Sequence, residues 1–139
     1  MNVEVKPVPA GGVLLAEPPE IARVGVIGAG QMGNGIAHVC ALAGLSVTML
    51  DVKASALERA IDTIARNMDR QVNRKLINAA GKIDALARIR TSMEYADLAD
   101  ADLVIEAATE KEDVKRKIFA ALCPVLKPTA IVGSNTSSI

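Results

Sequence analysis

The chain has 139 residues, 50% of them hydrophobic and 23% charged, which supplies the core of about one domain and excludes a chain disordered throughout. Aromatic residues make up only 1%, Tyr95 and Phe119, which excludes binding of bases by stacking over rows of rings. Sixteen Lys and Arg offset sixteen Asp and Glu, and the zero net charge argues against bulk attraction to nucleic acid or an anionic membrane.

Residues 1–20 are broken by Pro7, Pro9, Pro18, Pro19 and the pair Gly11-Gly12, and are expected to form a flexible leader. The short apolar pieces there leave a small hairpin or an added edge strand as the alternative. The domain proper is expected over residues 21–139. Val24–Ile27 is an apolar run ending in Gly28, the pattern of a buried strand. Ile36, Ala37, Val39, Cys40 and Ala43 then recur at helical spacing, and Gly44 is placed to end that helix. Val47–Leu50 is a second buried strand closed by Asp51. Strand, glycine turn, helix and strand make one βαβ unit, so the two strands should be parallel.

Ser55 and Glu58 have the spacing of a capping box opening a long helix. Its apolar stripe is Leu57, Ile61, Ile64, Met68 and Val72, and Arg66, Arg70 and Arg74 form a basic stripe beside it. The helix is expected to weaken near Asn78 and stop by Gly81. A short helix over Ile83–Ile89, a strand over Arg90–Ser92, a strong strand over Leu103–Ala107, a helix ended by Pro124 and a last strand over Ile131–Gly133 follow. This alternation predicts a doubly wound, mainly parallel α/β sheet. Residues 51–93 carry 9 positive and 5 negative charges, net +4, which singles out the long helix as a basic segment. Cys40 and Cys123 lie in apolar helical patterns with no metal-like spacing, and are expected to be buried thiols in a reducing compartment. No apolar run reaches the roughly 18 residues that a membrane span needs, and no signal peptide is evident, so the expected location is the cytoplasm.

Gly28-Ala29-Gly30-Gln31-Met32-Gly33 matches G-x-G-x-x-G between a predicted strand and a predicted helix. Gly28 permits the tight turn, Gly30 lets bare backbone approach a pyrophosphate, and Gly33 lets helix and strand pack closely. Gly35 is expected to add further close packing. The amides and dipole at the helix start favour phosphate charge. Asp51, at the end of the second strand, can accept hydrogen bonds from ribose hydroxyls and would repel a 2′-phosphate, which favours NAD over NADP. Lys53 nearby pulls the other way.

The run Val24–Ala41, VGVIGAGQMGNGIAHVCA, resembles the NAD-binding domain of the 3-hydroxyacyl-CoA dehydrogenase family, in particular the bacterial 3-hydroxybutyryl-CoA dehydrogenases. The likeness continues through Asn67–Gln71, Ala101–Glu110 (ADLVIEAATE) and Ser134–Ile139 (SNTSSI). The resemblance implies a Rossmann-type fold and NAD-linked interconversion of 3-hydroxyacyl-CoA and 3-oxoacyl-CoA, a reaction of fatty acid and butanoate metabolism. It implies that Glu110 and Lys115 line the cofactor near the nicotinamide, with Asn135 in the final loop beside Ser137. The Ser137 hydroxyl is implied to contact both substrate oxygen and cofactor. It also implies that the basic helix serves the acyl-CoA substrate, through Asn67, Arg70, Arg74 and Lys75. Relatives in this family usually carry a Gly-Lys turn where this chain has Arg74-Lys75-Leu76.

Family members continue into a His–Glu pair and a helical domain that supplies dimerisation and part of the acyl-CoA site. The general base is therefore expected to lie outside this sequence, whose one histidine, His38, sits within the first helix. The chain alone is expected to bind cofactor without turnover, and the full-length enzyme to form homo-oligomers. Two other readings stay open: a stand-alone NAD-sensing or partner-binding module, and another NAD-linked hydroxyacid dehydrogenase.

Overall fold

The computed structural model describes residues 20–134, together with the backbone of β1 (Pro7–Val8) and β2 (Val13–Leu14), two short strands paired antiparallel. The flexibility expected of the leader lies outside the described residues. From Arg23 onward the elements are β3 (Arg23–Ile27), α1 (Gln31–Leu42), β4 (Ser46–Leu50), α2 (Ala54–Asn73), α3 (Ala79–Ala87) and β5 (Ile89–Ser92). A 3-10 turn at Tyr95–Leu98, β6 (Leu103–Glu106), α4 (Glu112–Leu122) and β7 (Ile131–Ser134) complete the chain.

The five strands β3 to β7 are all parallel, in the order β5-β4-β3-β6-β7. The chain starts at the centre, moves out through β4 to β5, then returns to the other side of β3 for β6 and β7. That reversal leaves a crevice at the carboxyl ends of β3 and β6, where open parallel sheets take ligands. Both faces of the sheet are covered over the central strands β4, β3 and β6, whereas Ile131 and Val132 of β7 stay exposed. On one face Val24, Val26, Val47 and Met49 pack against Ala37 and Ala41 of α1 and Leu57, Ile64 and Met68 of α2. On the other, Ile27, Leu50 and Val104 meet Leu98 of the 3-10 turn and Ile118 and Leu122 of α4. Each such fully buried aliphatic side chain is worth roughly 1.5–3 kcal/mol. The buried face of α1 consists of Gly33, Ala37 and Ala41, small residues that let the helix lie close on the sheet.

Several local expectations are corrected. Ser55 does not cap α2: the helix starts at Ala54 with Lys53 as its N-cap and no side-chain cap bond, because Asp51 already accepts the Lys53 N–H (3.0 Å) and turns the chain two residues earlier. The long helix ends at Asn73 rather than running to Gly81, and Lys75 follows with φ 62°, a left-handed conformation that stops the helix. Asn78 opens a new helix instead, its side chain accepting the Gly81 N–H (2.7 Å), so Gly81 lies inside α3. Gly44 does end α1, with φ 95°. Gly35 packs against nothing: a Cβ there would meet no atom within 4 Å. Cys123 is exposed and Cys40 only half-buried, so neither is the fully buried thiol expected. No helix among the described residues is long and apolar enough to cross a membrane.

Candidate functional site

The turn from β3 into α1 is built by two glycines that nothing else could replace. Gly28 has φ 103°, and a Cβ on it would lie 2.7 Å from the Cα of Ala108 in the loop after β6. Its N–H donates to the Leu50 carbonyl (2.7 Å), which ties the turn to the end of β4. A Cβ at Gly33 would lie 1.7 Å from the Gly28 carbonyl oxygen, so helix and turn are in direct backbone contact. Gly30 is different: a Cβ there would meet no protein atom within 4 Å. The space above it is open, and its bareness serves something other than internal packing.

Gly30 is also the N-cap of α1, with no side-chain cap bond, and the first helical bond runs from Asn34 N–H to the Gly30 carbonyl (2.9 Å). The amides at such a start have no intrahelical acceptor and form a ready seat for an anion. Exposed Gln31 and Met32 make the first turn of the helix above that seat.

Asp51 stands beside this turn. Its Oδ2 accepts the Ala29 N–H (2.8 Å) and its Oδ1 accepts the Lys53 N–H (3.0 Å). An ionised carboxylate has about four acceptor positions, so two bonds leave capacity for two hydroxyls. Next to it a cleft of about 270 Å³ is walled by Val52, Tyr95, Ala108, Thr109, Val114 and Ile118, with Gly28 and Asp51 at its edge. This apolar slot beside a fixed carboxylate can take a flat ring attached to a sugar. A wider groove of about 410 Å³ flanks the turn on its other side, lined by Gly30, Asn34, Arg59 and Thr63 among others.

A buried ion pair, Glu106–Lys115, sits at the carboxyl ends of β6 and β7, joined there by exposed Ser134. Glu106, the last residue of β6 and 0% exposed, is paired in register with Ser134 at the end of β7. Its Oε1 accepts from the Lys115 ammonium of α4 (2.7 Å) and from the Ser134 hydroxyl (3.0 Å). Lys115 in turn donates to the Ser134 oxygen (2.8 Å). The Glu106 Oε2 accepts the N–H groups of Ala108 (2.7 Å) and Thr109 (3.1 Å). Burial pushes the Glu106 carboxyl upward, but the bonds from Lys115, Ala108, Ser134 and Thr109 together outweigh it and hold the group below the ordinary carboxylate range. Glu106 and Ser134 were not singled out in the sequence. The available signal was a charged residue closing an otherwise apolar strand, with a lysine nine positions on.

A second depressed carboxylate, Asp102, lies at the opposite ends of the strands. It is lowered by its hydrogen bond from Lys127 and by the N–H groups of Ala22 and Arg23, both at 2.9 Å. A carboxylate whose folded pKa is depressed stabilises the fold above its unfolded value, near 4, and loses that contribution as pH falls through the folded pKa. Thermal unfolding at descending pH is therefore expected to show stability level near neutrality and falling below about pH 4. Asp102→Asn should lower the midpoint at pH 7 and flatten the acid limb. An unchanged acid limb in that variant would contradict the assignment.

The structure brings Gly28, Ala29, Gly30, Gln31, Met32, Gly33 and Asp51 to one crevice. Lys115 is buried rather than open to solvent, held by Glu106 and Ser134, whereas Glu110 is exposed in the loop before α4. Asn135 and Ser137 lie outside the described residues. Asn67 and Arg70 lie on α2, where the Arg70 guanidinium donates to the Asn67 side chain (3.0 Å). Arg74 is the C-cap of that helix, and Lys75 is not on it, contrary to expectation. His38 shares a 2.7 Å hydrogen bond with Gln71 of α2, which accounts for it as a packing contact between helices.

A parallel sheet with a glycine turn at its central strand, an exposed helix start and a carboxylate at the next strand end defines a dinucleotide-binding domain of Rossmann type. The family profile described as the NAD-binding domain of 3-hydroxyacyl-CoA dehydrogenase matches residues 23–139. The chain belongs to the 3-hydroxyacyl-CoA dehydrogenase family as its NAD-binding domain, and its cofactor is NAD. A 3-hydroxybutyryl-CoA dehydrogenase of Bradyrhizobium diazoefficiens is 60% identical over 119 residues, covering 86% of this chain and 41% of that protein. A 3-hydroxyadipyl-CoA dehydrogenase of Escherichia coli is 43% identical over 119 residues, covering 86% of this chain and 25% of the relative. Among solved structures, the (S)-3-hydroxybutyryl-CoA dehydrogenase PaaH1 from Ralstonia eutropha superposes with TM-score 0.83 at 45% identity, covering 86% of this chain and 42% of that one. The chain thus spans well under half the length of these relatives.

Proposed function

We propose that this chain is the cofactor-binding part of an enzyme that interconverts a 3-hydroxyacyl-CoA, 3-hydroxybutyryl-CoA in the first instance, and the corresponding 3-oxoacyl-CoA. The observation that carries the reading is the Asp51 carboxylate bonded to the Ala29 N–H, which joins a sugar acceptor to a phosphate turn in one rigid piece. NAD, when bound, supplies the acceptor for the hydride from the substrate's C3. The chain's own residues bind and orient it. The Gly28–Gly33 turn and the α1 start hold the pyrophosphate, Asp51 holds the adenosine ribose, and the slot lined by Val52, Tyr95 and Val114 holds the adenine.

Glu110, Lys115, Asn135 and Ser137 serve the nicotinamide end, with the Ser137 hydroxyl toward the substrate oxygen. The proton of that substrate hydroxyl needs a base, and His38, committed to Gln71, is not it. The base and the dimer contacts of the complete enzyme are assigned to the length of its relatives beyond the matched residues. On the basic helix, Arg70 and Asn67, with Arg74 and Lys75 at its end, offer charge-assisted bonds to the phosphates of coenzyme A. Free thiols at Cys40 and Cys123 suit the reducing cytoplasm.

Isothermal titration of the chain with NADH, NADPH and acetoacetyl-CoA tests this. NADH is expected to bind, NADPH at least tenfold more weakly, and NADH oxidation by acetoacetyl-CoA to stay at background. Equal affinity for the two cofactors, or enzyme-level turnover, contradicts the reading.

A further inference from the structure

The crevice has two halves. Asp51, the proposed ribose acceptor, stands at the end of β4 on one side of β3, and the apolar slot beside it runs to the loop after β6 and to α4, so a dinucleotide whose pyrophosphate sits on the glycine turn directs its other half past that loop toward the end of β7. That side ends in the cluster that buried Glu106 and Lys115 form with exposed Ser134. Glu106 faces α4 from the same side of its strand as buried Val104 and is itself 0% exposed, where an ionised carboxylate persists only if fully hydrogen-bonded. It is: one oxygen takes the Lys115 ammonium and the Ser134 hydroxyl, the other takes two amides of the loop after β6. Four groups from three segments thereby share a single acceptor.

We propose that Glu106 is the positioning residue of the nicotinamide half of the site. It fixes the Lys115 ammonium and the Ser134 hydroxyl in register with the loop after β6. The inference rests on the cofactor placement proposed above. Glu106 itself touches no cofactor; it is 0% exposed and acts through Lys115, Ser134 and the two loop amides. The two amide bonds reach the floor of the adenosine slot, and the bonds to Lys115 and Ser134 reach the opposite half, so the two functions are separable by substitution.

Glu106→Gln makes that separation. Its amide oxygen can still accept the Ala108 and Thr109 N–H groups, whereas its NH2 is a donor and cannot accept from Lys115 or Ser134. Titrations of the 139-residue chain with NADH and with ADP-ribose, which lacks the nicotinamide, are run below the unfolding temperature of each variant. The expected result is a loss of NADH affinity of about tenfold, with ADP-ribose affinity within about twofold of the native chain, a selective loss converted from one buried charge-assisted bond. Equal loss for both ligands, or for neither, makes Glu106 a purely structural residue and overturns the proposal.

If Glu106→Gln does not fold, Ser134→Ala decides. It leaves the Glu106–Lys115 pair intact and is expected to weaken NADH about threefold with ADP-ribose unchanged. An unaltered ratio of the two affinities overturns the proposal here too. A native chain that binds neither ligand removes the cofactor reading and this inference together. A native chain that binds both, with unaltered ratios in the variants, removes this inference alone.

Discussion

Gly33→Ala is expected to abolish NADH binding and to lower the thermal midpoint by about 10 °C. The added Cβ would lie 1.7 Å from the Gly28 carbonyl oxygen. Backbone on both sides of that clash is fixed, one side by α1 and the other by the bond from Gly28 N–H to Leu50. No rotamer change relieves it, so helix and strand must separate. Overpacking of a tight site costs about 1–3 kcal/mol, and a backbone clash belongs at the top of that range. For a domain of this size each kcal/mol moves the midpoint by a few degrees. Gly30→Ala is the control: its Cβ meets no protein atom within 4 Å, so the fold should keep its midpoint while NADH affinity drops. Differential scanning calorimetry with parallel titration separates the two. Two variants with the same midpoint and the same affinity would show that the turn is not a phosphate seat.

The second large effect is at Asp51. Asp51→Ala removes the acceptor for Ala29 N–H and the proposed acceptor for the ribose, and is expected to weaken NADH by at least tenfold. The loss of one charge-assisted bond, roughly 1.5–3 kcal/mol, corresponds to about tenfold to a hundredfold or more in Kd. Asp51→Asn keeps the shape without the charge. NADPH, no longer repelled at its 2′-phosphate, should then approach NADH in affinity, helped by Lys53. Titration that returns native NADH affinity in both variants would remove the sugar-binding role.

The βαβ unit was legible because its signals are local and agree. Val24–Ile27, the glycine turn, the α1 pattern and Gly44 each specify the same geometry, and the structure reproduces it with each strand starting one residue earlier, at Arg23 and Ser46. The start of α2 was misread for a physical reason. Ser55 and Glu58 have capping-box spacing, but Asp51, committed to the glycine turn, also takes the Lys53 amide and begins the helix before the serine. The end of α2 is not legible because Lys75, a residue with no special liking for left-handed backbone, adopts φ 62° well before Gly81, the glycine at which the pattern predicts the stop.

The site divides in the same way. The turn and Asp51 declare themselves by spacing. The Glu106 cluster does not, because its members are 9 and 28 positions apart and meet only through strand pairing. Its charge was visible in ADLVIEAATE, but an acid at a strand end looks like solvent-facing polarity until the covering helix is in place.

The double anchoring of Asp51 by Ala29 and Lys53 has a kinetic side. The acceptor is locked in its working orientation before any nucleotide arrives, so no side chain has to be frozen during encounter. Capture should run at a speed governed by collision and alignment, and differences in tightness among related cofactors should surface in how long each one stays.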